Sequence, residues 1–210
     1  MYSAILFDLD GTLVNTIDLY ERAVLASLKD IGIHVSHEQF HHWYVNGFHL
    51  KDILAEHHLN EELVPSIRSA RDVIYEKLLE EEVDWIVGAE TVITVAKAKA
   101  PLAIVTGSWK SYVDRIQKRL DVLSHSQVLI TADQIHQFMK PHPHGLLLAA
   151  DALNVKPEDC IYIGDQRFDI EAANAAGMTS CLVRGEWTPE GAQEEADIVC
   201  EKLEDVTTLL

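Results

Sequence analysis

The stretch "ILFDLDGTLVNT", residues 5–16, decides the fold. An apolar run carries two aspartates, Asp8 and Asp10, and breaks at Gly11 and Thr12. Burying a carboxylate is costly unless it is paired or bound to a metal. A core strand that ends in two of them must therefore carry them to something that compensates their charge. Residues 3–9 read as that strand. Asp8 and Asp10 are two apart and share one face if the strand persists, and Gly11 lets the chain leave the sheet sharply.

Working outward, apolar strands are expected at residues 101–107, 127–131, 160–165 and 178–183, with a short one near 197–200. Helical stretches fall between them at 89–100, 109–120, 143–153 and 166–176, the last closed by Gly177 as a left-handed stop, and a final helix follows the last strand. Apolar strands alternating with helices predict an α/β fold, a three-layer Rossmann-like parallel sheet covered on both faces. Residues 16–84 have a different texture, helical throughout, with a capping box at Ser36 and Gln39 and a long acidic helix over 61–84. The spacing predicts a core made of residues 1–15 and 85–210, with an all-α cap, residues 16–84, inserted after the first strand. The two connections, "GTLVNT" and "DWIVGA", are expected side by side as a hinge pair for a lid.

In open parallel sheets ligands bind at the carboxyl edge of the strands. The first strand ends there in Asp8 and Asp10, the second in Thr106-Gly107-Ser108, and the fourth in Gly164-Asp165. Lys140 stands just ahead of a helix start, and Asp169 lies one helical turn into its helix, leaning back toward Asp165. Thr106-Gly107 opens a helix whose free N–H groups suit an anion. Carboxylates converging on one point imply a hard cation, and all-oxygen donors suit Mg²⁺. A carboxylate can serve as nucleophile, and a second can move protons. For Asp8 and Asp10 the plain alternative is a solvated turn, which the other three motifs argue against.

Composition narrows the partners. A net charge of −17 repels phosphate backbones, so nucleic acid is not expected as a partner. No apolar run approaches a membrane span, the first residues show no targeting pattern, and a cytoplasmic location is expected. Three cysteines, Cys160, Cys181 and Cys200, fit neither a zinc site nor a disulfide framework and read as reduced core thiols. The histidines, His37 and His41 included, lack an H-E-x-x-H arrangement, and no transition-metal site is expected there. In "WYVNGFHLKD", residues 43–52, Gly47 breaks a helix-turn-helix. Trp43 reads as packing, while Asn46, Gly47, His49 and Lys51 are candidates for a substrate-selecting loop facing the core.

The motifs "DLDGTL" (8–13), "VTGS" (105–108), "KPHP" (140–143) and "GDQRFD" (164–169), followed by "AAGM" (175–178), together resemble the haloacid dehalogenase-like hydrolase superfamily, in its phosphoglycolate phosphatase and β-phosphoglucomutase-like branch with a helical cap. The resemblance implies Asp8 as nucleophile and Asp10 as general acid/base. It implies Thr106, Gly107 and Lys140 as phosphoryl binders. Mg²⁺ would be held by Asp8, Asp165 and the backbone carbonyl of Asp10, with Asp169 just behind. The implied activity is a Mg²⁺-dependent phosphatase acting on a small phosphorylated metabolite. Asn15 and Gln166 depart from the residues common in the family, Asp and Ser or Thr. Tyr20 stands where the related mutases usually carry histidine, which lowers the phosphosugar mutase alternative. A phospho-accepting signalling module would place its acidic pair and acceptor on different strands and would lack the large helical insertion.

Overall fold

All four residues of the first strand, β1 (Ala4–Phe7), are buried, and successive side chains point to opposite faces. A strand apolar on both faces needs cover on both sides. In the computed structural model, which describes residues 1–210, five more strands join it: β2 (Leu102–Val105), β3 (Val128–Ile130), β4 (Cys160–Gly164), β5 (Thr179–Val183) and β6 (Ile198–Cys200). All pairings are parallel, in the order β3-β2-β1-β4-β5-β6. Ile5 and Phe7 join one buried cluster with Val92 and Ile93 of helix α5 (Ala89–Lys99) and Val113 and Ile116 of α6 (Lys110–Arg119). Ala4 and Leu6 join another with Leu146 and Ala149 of α8 (His144–Ala152) and Ala172 and Ala173 of α9 (Arg167–Ala176). The three-layer α/β architecture is the one the apolar pattern predicts.

Between β1 and α5 the chain forms α1 (Thr16–Lys29), α2 (His37–Val45), α3 (Leu50–Glu56) and α4 (Val64–Glu81). Ser36 and Gln39 form the expected capping box at the start of α2. Gly47, in the left-handed region at φ +70°, separates α2 from α3. These helices share a core of their own around Val24, Leu28, Phe40, Trp43 and Ile53, whose only buried member from elsewhere in the chain is Trp187. Tyr75, Leu78 and Leu79 of α4 join the sheet cluster instead, so the C-terminal half of α4 rests on the α5–α6 face. The two connections lie together. The Asn15 N–H donates to the Asp84 carbonyl at 3.1 Å, and Asn15 Oδ1 accepts the Asp84 N–H at 2.7 Å. The Ile86 N–H donates to the Leu13 carbonyl at 2.9 Å.

Several local details differ from the sequence expectation. The acidic helix begins as a 3₁₀ turn at Glu61–Leu63 and becomes α-helical only at Val64, where Pro65 fits the first turn. A four-residue helix, α7 (Ala132–Ile135), follows β3. It is too short to leave a periodic signature. The final helix is a 3₁₀ segment, Leu203–Thr208. The helix expected from residue 143 starts at His144, with Pro143 as its N-cap. No helix is long and apolar enough to cross a membrane.

Candidate active site

Strand register assembles the site. β1 lies between β2 and β4, with Phe7 paired to Ile104 on one side and to Ile163 on the other. The residues just beyond, Asp8, Thr106 and Asp165, therefore emerge at one edge. The Asp8 N–H donates to the Ile163 carbonyl at 2.8 Å, which fixes Asp8 at the last rung of the ladder.

Lys140 is the cation at the centre. Its Nζ donates to Asp8 Oδ1 at 2.8 Å, to Asp169 Oδ1 at 2.6 Å and to the Tyr162 hydroxyl at 2.9 Å. The side chains of Lys140, Asp8 and Asp169 are 4%, 5% and 0% exposed, so this is a buried ionic cluster and not a surface pair. Burial works to lower the Lys140 pKa, but Asp169, Asp8 and Tyr162 together hold it well above the usual range, and the ammonium stays charged. The other oxygen of Asp169 accepts the Gln166 N–H at 3.0 Å. Asp169 is thus occupied on both oxygens and aims the lysine. Asp8 Oδ2 carries no hydrogen bond, and since every sealed polar side-chain atom has a partner, it is not fully sealed from the surface.

Asp165 is held by Thr12 Oγ1, which donates to Oδ1 at 2.8 Å, and by Gln166 Nε2, which donates to Oδ2 at 2.5 Å. Burial first, and then the Asp169 charge, push its carboxyl up to about 7, with the Gln166 and Thr12 bonds acting against the shift. Burial likewise raises Asp8, where Lys140 opposes and Asp169, Asp10 and Asp165 add to the rise. Carboxylate oxygens of Asp8, Asp165 and Asp169 lie within 4.8 Å of one another. Three carboxyl groups thus face a single ammonium, and an all-oxygen donor set of this kind fits a hard divalent cation.

Asp10 belongs to a second, adjacent group. Its oxygens accept from Thr16 Oγ1 at 2.8 Å and from Thr106 Oγ1 at 2.7 Å. The Ser108 N–H donates to Thr106 Oγ1 at 2.9 Å. The Thr106 hydroxyl therefore links Asp10 to the turn after β2. Two glycines are required by close approach. A Cβ on Gly11, whose φ is +81°, would stand 2.8 Å from Asp165 Oδ2, and one on Gly164 would stand 2.5 Å from the Asp169 carboxyl.

A cleft of about 680 Å³ runs between the end of α2 and the start of α9, lined among others by Tyr44, Asn46, Gly47, Gln166 and Phe168. The Phe168 ring centre is 5.4 Å from Lys140 Nζ, so the cleft adjoins the ionic cluster. Asn46 and Gly47 are thus on its wall. His49 and Lys51 are not: they line a separate groove with Glu61, Glu62 and Arg68. His37 pairs with Glu21 at 2.9 Å and with Glu186 at 3.1 Å, as an ion-pair bridge between segments.

Sequence reasoning missed Thr12, Thr16, Tyr162 and Trp187. Tyr162 had a visible signal, a phenol in an otherwise aliphatic strand, "CIYIG", where a buried hydroxyl needs a partner. Thr12 sits inside the motif but its partner is 153 residues away. Trp187 left none.

The family model for haloacid dehalogenase-like hydrolase matches residues 5–183. Among curated relatives, pyrophosphatase PpaX of Anoxybacillus flavithermus is 28% identical, over 99% of this chain and 96% of its own. Phosphoglycolate phosphatase of Escherichia coli is 30% identical, over 83% of this chain and 78% of its own. The crystal structure of CbbY from Rhodobacter sphaeroides in complex with phosphate superposes with a TM-score of 0.82 at 24% identity, covering 98% of this chain and 96% of that one. With most of its length inside the family model and its strand-end carboxylates gathered as described, the chain belongs to the haloacid dehalogenase-like hydrolase family.

Proposed function

We propose that this protein is a Mg²⁺-dependent phosphatase that hydrolyses a small organic phosphomonoester through an aspartyl-phosphate on Asp8. The observation that carries the reading is the division between the two aspartates of the first strand. Asp8 is paired with Lys140 through one oxygen and carries no hydrogen bond on the other. Asp10 is held apart from the lysine by two threonine hydroxyls.

In the first step Asp8 Oδ2 attacks phosphorus, the ester P–O bond breaks, and Asp10 delivers a proton to the departing alkoxide. In the second, Asp10 takes a proton from water, the resulting hydroxide attacks phosphorus, and the bond to Asp8 breaks to release phosphate. Lys140 and the Gly107 N–H stabilise charge on the phosphoryl oxygens. Asp8, Asp165 and the Asp10 carbonyl would hold Mg²⁺, whose part is to offset the repulsion between carboxylate and phosphoryl oxygens. Residues 16–84 act as a cap that closes over the site and selects the leaving group, with Asn46 and Gly47 on the cleft wall as the selecting residues. His49 and Lys51 line the neighbouring groove with Glu61, Glu62 and Arg68, and the proposal gives the selecting role to Asn46 and Gly47.

The test is a screen of small phosphate esters for free phosphate release, with and without Mg²⁺. Phosphoglycolate and pyrophosphate, suggested by the names of two relatives, are the first compounds to try. Hydrolysis of at least one compound, dependent on Mg²⁺, is expected. Interconversion of sugar phosphates without phosphate release would point to a mutase, and inactivity throughout would overturn the reading. A chelator should abolish turnover and lower the melting temperature. Mg²⁺ at a hundred times its dissociation constant should restore turnover and about 2.7 kcal/mol of stability, read by thermal unfolding.

A further inference from the structure

The loop after β5 crosses from the sheet into the helical segment and returns. Its Trp187 is 7% exposed and sits among the rings of α2, with centroids 5.9 Å from Phe40, 5.2 Å from His41 and 5.4 Å from Tyr44. The indole N–H donates to Asp18 of α1 at 2.9 Å. His41 Nε2 lies 2.8 Å from the Glu186 carbonyl, and His37 reaches the Glu186 carboxylate. This strap is thus tied to both helices at its middle. At its far end the Arg167 guanidinium donates to the Glu190 carbonyl at 2.6 Å, at the start of α9.

One side chain joins the strap to the carboxylate cluster. Gln166, 3% exposed, donates from Nε2 to Asp165 Oδ2 at 2.5 Å and to the Trp187 carbonyl at 2.9 Å. A primary amide has two N–H donors on one nitrogen. It can orient a carboxylate and read a backbone position at once. A serine or threonine hydroxyl at this place has one proton and a shorter reach, and could not make both bonds.

We infer that Gln166 is a positioning residue that couples the seating of α1 and α2 to the aim of the Asp165 carboxylate, with the Trp187 strap as the connecting element. When the helical segment lifts, Trp187 either leaves its ring cage or is drawn along with it. In both cases its carbonyl is no longer held in place from the side of the helices, and the bond it accepts from Gln166 is less well fixed. Asp165 is then less well aimed at a cation. Cation affinity and cap closure therefore reinforce one another. The inference rests on the proposed role of Asp165 in holding Mg²⁺ and extends it to residues outside the motifs.

The test is Mg²⁺ binding to the whole chain, followed by titration calorimetry without substrate. Gln166→Met, close in volume and lacking both donors, should weaken Mg²⁺ binding about 10- to 100-fold, the scale found for partners that orient metal ligands. Gln166→Ser provides a smaller second variant with the same direction of effect. Trp187→Ala should weaken binding as well, and Trp187→Phe, which keeps a ring in the cage, should recover most of the loss. The double variant Gln166→Met/Trp187→Ala should be no weaker than the worse single one, because the two act through one connection. Unchanged Mg²⁺ affinity in both Gln166 variants, or fully additive losses in the double variant, would overturn the inference. If these variants behave as expected but no phosphate compound is hydrolysed, the coupling stands and the phosphatase reading fails. If phosphate is released and Mg²⁺ binding is unaltered in the Gln166 variants, the phosphatase reading stands and the coupling fails.

Discussion

Asp8→Asn should remove turnover by at least about 10⁴-fold, the scale reached when a nucleophile or its activating partner is deleted. The chain should remain folded. Asp8 is buried beside Asp10, Asp165 and Asp169, and its carboxyl is raised by burial first and then by those neighbours, with Lys140 opposing. A neutral amide of the same shape removes one of the repelling charges. Lys140 keeps its 2.6 Å bond to Asp169 and so is not left as an unpaired buried cation. The melting temperature of the metal-free variant should therefore equal or exceed that of the unmodified protein. Steady-state release of phosphate and a thermal melt check the two halves separately. A variant that turns over at a tenth of the normal rate would remove Asp8 as nucleophile.

Lys140→Met should do the opposite to stability. It leaves Asp8 and Asp169 buried with no cation between them, and breaking a buried pair from one side costs about 3–5 kcal/mol. For a chain of this size that is roughly 6–20 °C in melting temperature. The deficit depends on pH with a definite sign. Without the lysine the carboxyl of Asp8 is raised further, so the folded state binds protons that the unfolded state has released. Its stability then rises as pH falls toward the unfolded carboxylate pKa, about 3.9, and is lost as pH rises. The gap between variant and parent should narrow at acid pH and widen at neutral pH. Thermal melts across a pH series measure it. A gap that widens on acidification would contradict the assignment of Lys140 as counter-charge to this pair.

The sheet was readable because each strand is a short aliphatic run closed by a polar residue or a turn, as in "LAIV" before Thr106 and "CIYIG" before Asp165. Those same endings announced the site, since parallel strands put their carboxyl ends on one edge. The meeting of Asp8 and Asp165 follows from that rule; Asp169 joins them from the first turn of α9, and Lys140 from the segment ahead of α8. What the rule could not supply was the hydrogen bonding between distant segments. Thr12 serves Asp165, Tyr162 serves Lys140, and Thr106 serves Asp10, and each pairing depends on strand order and not on local pattern. Proximity in sequence does not fix which cleft a residue lines. His49 and Lys51 follow Gly47 closely, yet the start of α3 carries them to a groove with Glu61 and Glu62. Trp187 lies in a loop with no periodicity, so neither helix nor strand reasoning marks it as the ring that fills the helical core.

The proposed reaction passes through a covalent phosphoryl group on Asp8. The most direct measurement is a millisecond acid quench with ³²P-labelled substrate, followed by mapping of the labelled peptide. A burst of label is expected on the peptide containing Asp8, decaying into free phosphate no more slowly than turnover. Label on another residue, or full turnover with no label on the protein at any time, would contradict the claim.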